Sequence, residues 1–180
     1  MIKYSTSLSE IIKTIDTWSN KLEINKQPKT LYDPINYFFS NKGKKIRSIL
    51  TLLSNHLFNG HVQSLKPIVL AIEALHNFTL IHDDVMDNAT LRRGRPTINK
   101  KWSRNQAILS GDVLMISAYE HLLKLKKNSH MVVTHFTQTS IDICEGQQLD
   151  LDMQHKTSIT LDEYYKMISL KTGCLIQFAL

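Results

Sequence analysis

Residues 67–87 read PIVLAIEALHNFTLIHDDVMD. Pro67 suits the first turn of a helix, where its missing N–H has no intrahelical partner to lose. From there Ile68, Ala71, Ile72, Leu75, Phe78 and Thr79 return at the spacing that lays residues on one face of an α-helix. The stretch ends in acid, His82-Asp83-Asp84-Val85-Met86-Asp87. At about 100° per residue, Asp83 and Asp87 project from one face a turn apart and form a chelating pair. Two carboxylates stacked in this way repel each other unless a cation lies between them, and hard oxygen donors without sulfur favour Mg2+ over zinc. Simple solvation is a poor alternative, because carboxylates at a helix C-terminus oppose its macrodipole. Asp84 points away from that face, towards a loop or the back of the metal site. His76, seven residues before Asp83, returns close to the same face.

Just beyond the acids, Gly94 and Pro96 stop any helix, and LRRGRPT places Arg92, Arg93 and Arg95 on the turn. Guanidinium forks match phosphate oxygens, so acids and arginines side by side imply a ligand made of phosphate and metal. A second basic cluster, Lys42 to Arg47, offers Lys44 and Arg47 three apart on one helical face with Gly43 freeing the entry, and its partner would be a second phosphate group. Near the end of the chain, Lys171-Thr172 sits on an otherwise apolar helix, where a lysine needs an anion or carboxylate partner unless it snorkels to solvent. Gly111-Asp112 and Gly146-Gln147 read as close-packing and capping features without a catalytic role.

The rest of the chain is helical in pattern. Leu8, Ile11, Ile12, Ile15, Trp18 and Leu22 mark a first helix. Pro34, placed for a first turn, precedes Ile35, Phe38 and Phe39, and after the interruption at Gly43 the pattern resumes at Ile46, Ile49, Leu50 and Leu53. Further helices are predicted from about Asn105 to Leu125, Met131 to Leu151 and Leu161 to the terminus, while strand alternation is weak throughout. The fold class is therefore all-α, a helical bundle in one domain over residues 1–180. The composition, 42% hydrophobic and 21% charged in 180 residues, excludes disorder and collagen-like structure. Two cysteines without CxxC spacing exclude a zinc module or disulfide scaffold and suit a reducing, cytoplasmic setting, and no run of apolar residues of membrane-span length is expected. The formal charge of +6 attracts anions without choosing among them. The last helix is still apolar at Leu180 without a stop signal, so either further C-terminal helices or a partner chain are expected to cover it.

The ordered motifs GKKIRS, EALHNFTLIHDDVMD, LRRGRPT, LSGDVL, CEGQQLDLD and LKTG resemble those of the trans-isoprenyl diphosphate synthases, or polyprenyl synthetases, between about Lys42 and Gly173. The resemblance implies an isoprenoid synthase-type helical bundle that joins an allylic diphosphate to isopentenyl diphosphate head to tail. It implies the family's first aspartate-rich motif at Asp83, Asp84 and Asp87, with Asp83 and Asp87 holding Mg2+. It implies an isopentenyl diphosphate site at Lys44, Arg47, His76 and Arg93, and an allylic diphosphate site at Arg92, Lys171 and Thr172. Phe78 and Thr79 fall where the family sets product length, and an aromatic there implies farnesyl or geranylgeranyl diphosphate, about fifteen to twenty carbons. The family's second aspartate-rich motif has no counterpart, since Asp142, Asp150 and Asp152 lack its spacing. Only the N-terminal part of such an enzyme is matched, so the chain alone is expected to turn over slowly or not at all, unless a second copy or another chain completes it. Three rival readings follow from other residues. They are a non-catalytic subunit of a heteromeric synthase, a metal phosphohydrolase built on His82-Asp83 with His56 and Asp112, and a nucleic-acid surface along RRGRPTINKKWSR around Trp102.

Overall fold

The structure, a computed structural model, describes residues 7–19, 26–41 and 43–180. The sequence readings at Leu22 and Lys42 lie outside the described residues. The described residues form helices α1 (Leu8–Ser19), α2 (Lys29–Phe39), α3 (Ile46–Leu57), α4 (Lys66–Met86), α5 (Ile98–Lys101), α6 (Arg104–Leu122), α7 (Ser129–Met153), α8 (Leu161–Ile168) and α9 (Cys174–Ala179). A two-stranded ladder, β1 (Leu91–Arg92) and β2 (Arg95–Pro96), interrupts them.

The α4 helix is the axis of the bundle, and three apolar clusters meet on its different sides. Ala71, Ala74 and Leu75 pack with Ala118 and Leu122 of α6, Phe136 and Ile143 of α7 and Leu175 of α9. Val69 and Leu70 pack with Ile11, Ile15 and Trp18 of α1 and Leu52 of α3. Ile81 and Val85 pack with Ile35 and Phe38 of α2, Ile98 of α5, and Ala107 and Leu114 of α6. A helix enclosed in this way has little need of a polar face. Residues 62–86 are in consequence long and apolar enough to cross a membrane by length and composition alone, the test that the core helix of a bundle also passes, and half of that window is buried inside the fold.

Local chemistry fixes the ends of several elements. Pro67 falls in the first turn of α4. Ser103 caps α6 by accepting from the Gln106 N–H at 3.2 Å, and Thr160 with Glu163 forms a reciprocal capping box at α8. Three expectations need correction. The α2 helix starts at Lys29, so Pro34 lies inside it; Pro34 is buried beside Ile35 and Phe38, and packing outweighs the lost hydrogen bond. The segment around Gly94 is a tight hairpin, because Arg93 (φ 52°) and Gly94 (φ 76°) both adopt the left-handed geometry that matches strand twist. The last helix is broken into α8 and α9 by a π-helical turn, Ser169–Gly173.

Candidate active site

Two cavities adjoin along α4. The larger, about 520 Å3, is basic and is lined by Gly43, Lys44, Arg47 and Arg93. The second, about 260 Å3, is mainly apolar, with Phe78 and Thr79 of α4 and Ile143 and Leu151 of α7 in its walls and Asp83, Lys171 and Thr172 at its polar end. Arg47 and His76 line both, so their side chains form the wall between the two spaces.

In the basic cavity each cation is placed by a neighbour. A β-carbon on Gly43 would stand 2.9 Å from Arg93 Nη2, so glycine leaves room for that guanidinium, which donates from Nη1 to the Asn41 carbonyl at 2.8 Å. Arg47 Nη1 lies 3.4 Å from His76 Nε2, and since a guanidinium only donates, the ring nitrogen accepts. Arg47 Nε is buried without a partner. Burial lowers the Arg47 pKa, and the nearby Glu73 carboxylate works in the opposite direction. Glu73 is itself buried and accepts from Ser48 Oγ at 2.5 Å. His76 is held down to about 3 by burial first, then by the positive charges of Arg47, Arg93 and Arg92. The cavity thus presents fixed positive charge and a neutral imidazole, the surroundings a polyanion requires.

Asp83 lies at the polar end of the apolar cavity, in the last turn of α4, while Asp87, four residues on, caps the helix, is exposed and does not line the cavity. Burial raises the Asp83 pKa, and Asp87 and Asp84 add like charge, while Lys171 and Arg92 oppose the rise. Of the three acids, Asp84 departs from the group. It is buried and turned to the hairpin, where Arg92 Nε donates to its Oδ1 at 2.9 Å, and its Oδ2 is left without a partner. Asp84 and Arg92 therefore fasten the hairpin to α4. Asp83 and Asp87, a turn apart and donating through oxygen alone, have the chemistry that a hard divalent cation takes, while Asp84 belongs to the hairpin side and is not part of that pair.

Lys171 and Thr172 reach the cavity from the π-helical turn, whose extra residue rotates them relative to the flanking helix. The turn lies so close to α7 that a β-carbon on Gly146 would stand 2.2 Å from the Lys171 backbone nitrogen. That confirms Gly146 as a close-packing residue, and Gly111 plays the same part between α6 and α4. Lys171 finds the carboxylate partner its position demanded, donating to Asp150 Oδ2 at 2.5 Å. Gln147, read from the sequence with Gly146 as a close-packing and capping feature, is neither packed on a polar partner nor a cap. It is 9% exposed, lines the apolar cavity, and neither its amide oxygen nor its amide nitrogen has a partner. A buried amide left so is uncommon, and an amide following glycine within a helix is the signal that could have found it.

The rival readings fare differently. His82 lies 3.7 Å from Asp112, and its Nε2 is turned to the Ile108 carbonyl at 3.1 Å; among the described residues no group of three or more His, Cys, Asp or Glu side chains could hold a metal, which holds for Asp83, Asp84 and Asp87 as for the phosphohydrolase set. The basic and aromatic segment near Trp102 is engaged within the fold. Lys101 lies 3.9 Å and Arg95 4.3 Å from the Tyr37 ring centre, and Trp102 meets Tyr37 edge-on at 5.1 Å.

The sequence profile described as polyprenyl synthetase matches residues 28–180. The chain belongs to the polyprenyl synthetase family. Among curated relatives it is 37% identical over 152 residues to the geranylgeranyl diphosphate synthase of Methanosarcina mazei, covering 83% of this chain and 47% of that protein. It is 36% identical to the geranylgeranyl diphosphate synthase of Saccharolobus solfataricus, covering 95% of this chain and 53% of the relative. Among solved structures, the geranylgeranyl pyrophosphate synthetase of Geoglobus acetivorans superposes with a TM-score of 0.92 at 31% identity, over 96% of this chain and 57% of that one. The fold is thus the isoprenoid synthase-type bundle. This polyprenyl synthetase chain spans about half the length of the curated relatives it matches.

Proposed function

We propose that this chain binds isopentenyl diphosphate in the basic cavity and an allylic diphosphate in the apolar one, and that it serves a Mg2+-dependent prenyltransferase making all-trans diphosphates of about fifteen to twenty carbons. The observation that carries this reading is the shared wall. Arg47 and His76 separate a polyanion site from an apolar cavity whose polar end holds Asp83, so two diphosphates would meet across two side chains. Geranylgeranyl diphosphate synthases among the relatives support the product class.

Lys44, Arg47 and Arg93 would hold the isopentenyl diphosphate, with His76 as a neutral neighbour. Lys171 and Thr172 would hold the allylic diphosphate, and Arg92, pinned to Asp84, adds positive charge beside it. Asp83 and Asp87 would bind Mg2+, which, when bound, neutralises charge building on the departing diphosphate. In the reaction the allylic C–O bond breaks with its electron pair leaving on diphosphate, the isopentenyl double bond forms the new C–C bond, and a proton is lost. Fixed cations act where that negative charge gathers. Gln147 supplies an unpaired dipole inside an apolar space, where a positively charged allylic fragment has no bulk water to stabilise it. Phe78 and Thr79 bound the space for the growing chain.

Residues 1–180 form one domain in this reading. Two unpaired cysteines among the described residues suit a cytoplasmic setting. Leu109 and Ile116 of α6 and Leu123 just past its end are exposed at intervals of seven, a stripe that suits association with a second copy. The alternative, a non-catalytic subunit, leaves the Asp83 and Asp87 pair without purpose. The test is extension of radiolabelled isopentenyl diphosphate with dimethylallyl, geranyl and farnesyl diphosphates, in Mg2+ and in chelator. Metal-dependent extension abolished by Asp83→Ala supports a self-sufficient enzyme. Extension that survives Asp83→Ala contradicts the proposed site, and absence of extension by folded protein confines the reading to the binding sites.

A further inference from the structure

Behind the α4 wall of the apolar cavity, α6 holds a feature that the acids, the cations and Phe78 leave unexplained. Gly111 lies in mid-helix, and a β-carbon there would stand 2.3 Å from His82 Nε2, 2.4 Å from His82 Cδ2 and 3.4 Å from Phe78 Cδ2. His82 occupies the notch and donates from Nε2 to the Ile108 carbonyl at 3.1 Å. Its ring is tilted against Phe78, with centres 4.5 Å apart. Phe78 and His82, four apart on α4, both line the cavity. Two rings therefore stand between α6 and the space for substrate, and the room behind them exists because residue 111 has no side chain.

We propose that Gly111, acting through His82, sets how far Phe78 withdraws from the cavity and thereby limits the longest prenyl chain the cavity admits. The inference rests on reading that cavity as the prenyl site. A methyl group at position 111 and the His82 ring cannot share the notch, and since the atoms met are the far end of a side chain, it is the ring that shifts. The ring gives up the Ile108 carbonyl and moves towards the open volume on its other side, taking Phe78 with it. Gly111 and His82 are positioning residues. Their effect reaches the ligand through Phe78, more than a helical turn from Asp83, and so falls on the prenyl chain more than on the diphosphate.

The test is calorimetric titration of the chain, in Mg2+, with the geranyl, farnesyl, geranylgeranyl and geranylfarnesyl S-thiolodiphosphates. Gly111→Ala should weaken the two longest ligands by about tenfold or more while geranyl stays within about twofold, and adding His82→Ala should restore them. An unchanged order of affinities, or an equal loss for all four ligands, overturns the inference. If Gly111→Ala does not fold, His82→Ala alone decides, since it should favour geranylfarnesyl over geranyl by about threefold relative to the unsubstituted chain, and no change overturns the proposal. Failure of the unsubstituted chain to bind any of the four overturns the prenyl reading itself, and this inference with it.

Discussion

His76 shows how a site can be set by its surroundings more than by its own chemistry. Buried beside Arg47 and near two further arginines, it keeps a neutral ring down to about pH 3, against an ordinary value of 6.5. The unfolded chain binds that proton below 6.5 and the folded chain does not, so stability should fall as pH drops from 6.5 towards 3. Proton NMR of the histidine ring should show no His76 titration between pH 8 and 5, and a midpoint near 6.5 would contradict the assigned environment. Gln147 carries the opposite burden. Each unpaired buried polar group costs about 1–3 kcal/mol, so Gln147→Leu should raise the melting temperature while weakening the allylic ligand. Lower stability with unchanged affinity would make Gln147 a packing residue only. The crowding of charge around Asp83 and Arg93 was legible in the sequence, whereas the pairing of Asp84 with Arg92 and the turn of Arg95 to Tyr37 and Ser40, which take two arginines out of the expected anion clamp, needed the fold. Gln147 and Asp150 were not legible, because only the fold shows that one lacks a partner and the other meets Lys171 across twenty-one positions.

Among the elements, helices were legible wherever one face is apolar, as in α1 and α3, and the starts of α4 and α6 fell within about a residue of Pro67 and of the expected Asn105. The hairpin and the π-helical turn were not. A two-residue strand pair carries no alternation to detect, and it exists here because Arg93 and Gly94 turn left-handed while Asp84 and Tyr37 hold its ends, the latter donating to the Pro96 carbonyl at 2.9 Å. The π turn inserts one residue into an otherwise regular pattern, and it is tolerated because Gly146 lets it rest on α7. Gly146→Ala meets backbone, not a flexible side-chain tip, so it should cost at least about 1–3 kcal/mol in urea denaturation and displace Lys171. Full stability together with unchanged binding of an allylic analogue would show that the turn has room to spare.

At the scale of the whole molecule, the enclosure of α4 on several sides explains both its composition and its task. The same helix supplies residues to all three clusters of the core and to both cavities, so the geometry of the cavities is set by the most deeply buried element. The bundle class followed from periodicity, whereas the division into two cavities with a common wall needed the packing of α3, α4 and α7. The outward stripe on α6 leads to a further expectation. Ile116→Glu should shift sedimentation towards the monomer with little change in fold stability, and an unchanged sedimentation coefficient would remove that face as an association surface.

The central claim is that two chemically distinct diphosphate sites meet at Arg47 and His76. Isothermal titration of the chain with isopentenyl diphosphate and with geranyl S-thiolodiphosphate, each in Mg2+ and in chelator, tests it most directly. The account expects isopentenyl diphosphate to bind without metal, to survive Asp83→Ala and to be lost in Arg47→Ala. It expects the allylic analogue to need Mg2+ and to be lost in Asp83→Ala. Allylic binding that is indifferent to metal and to Asp83, or isopentenyl binding that is indifferent to Arg47, would contradict it.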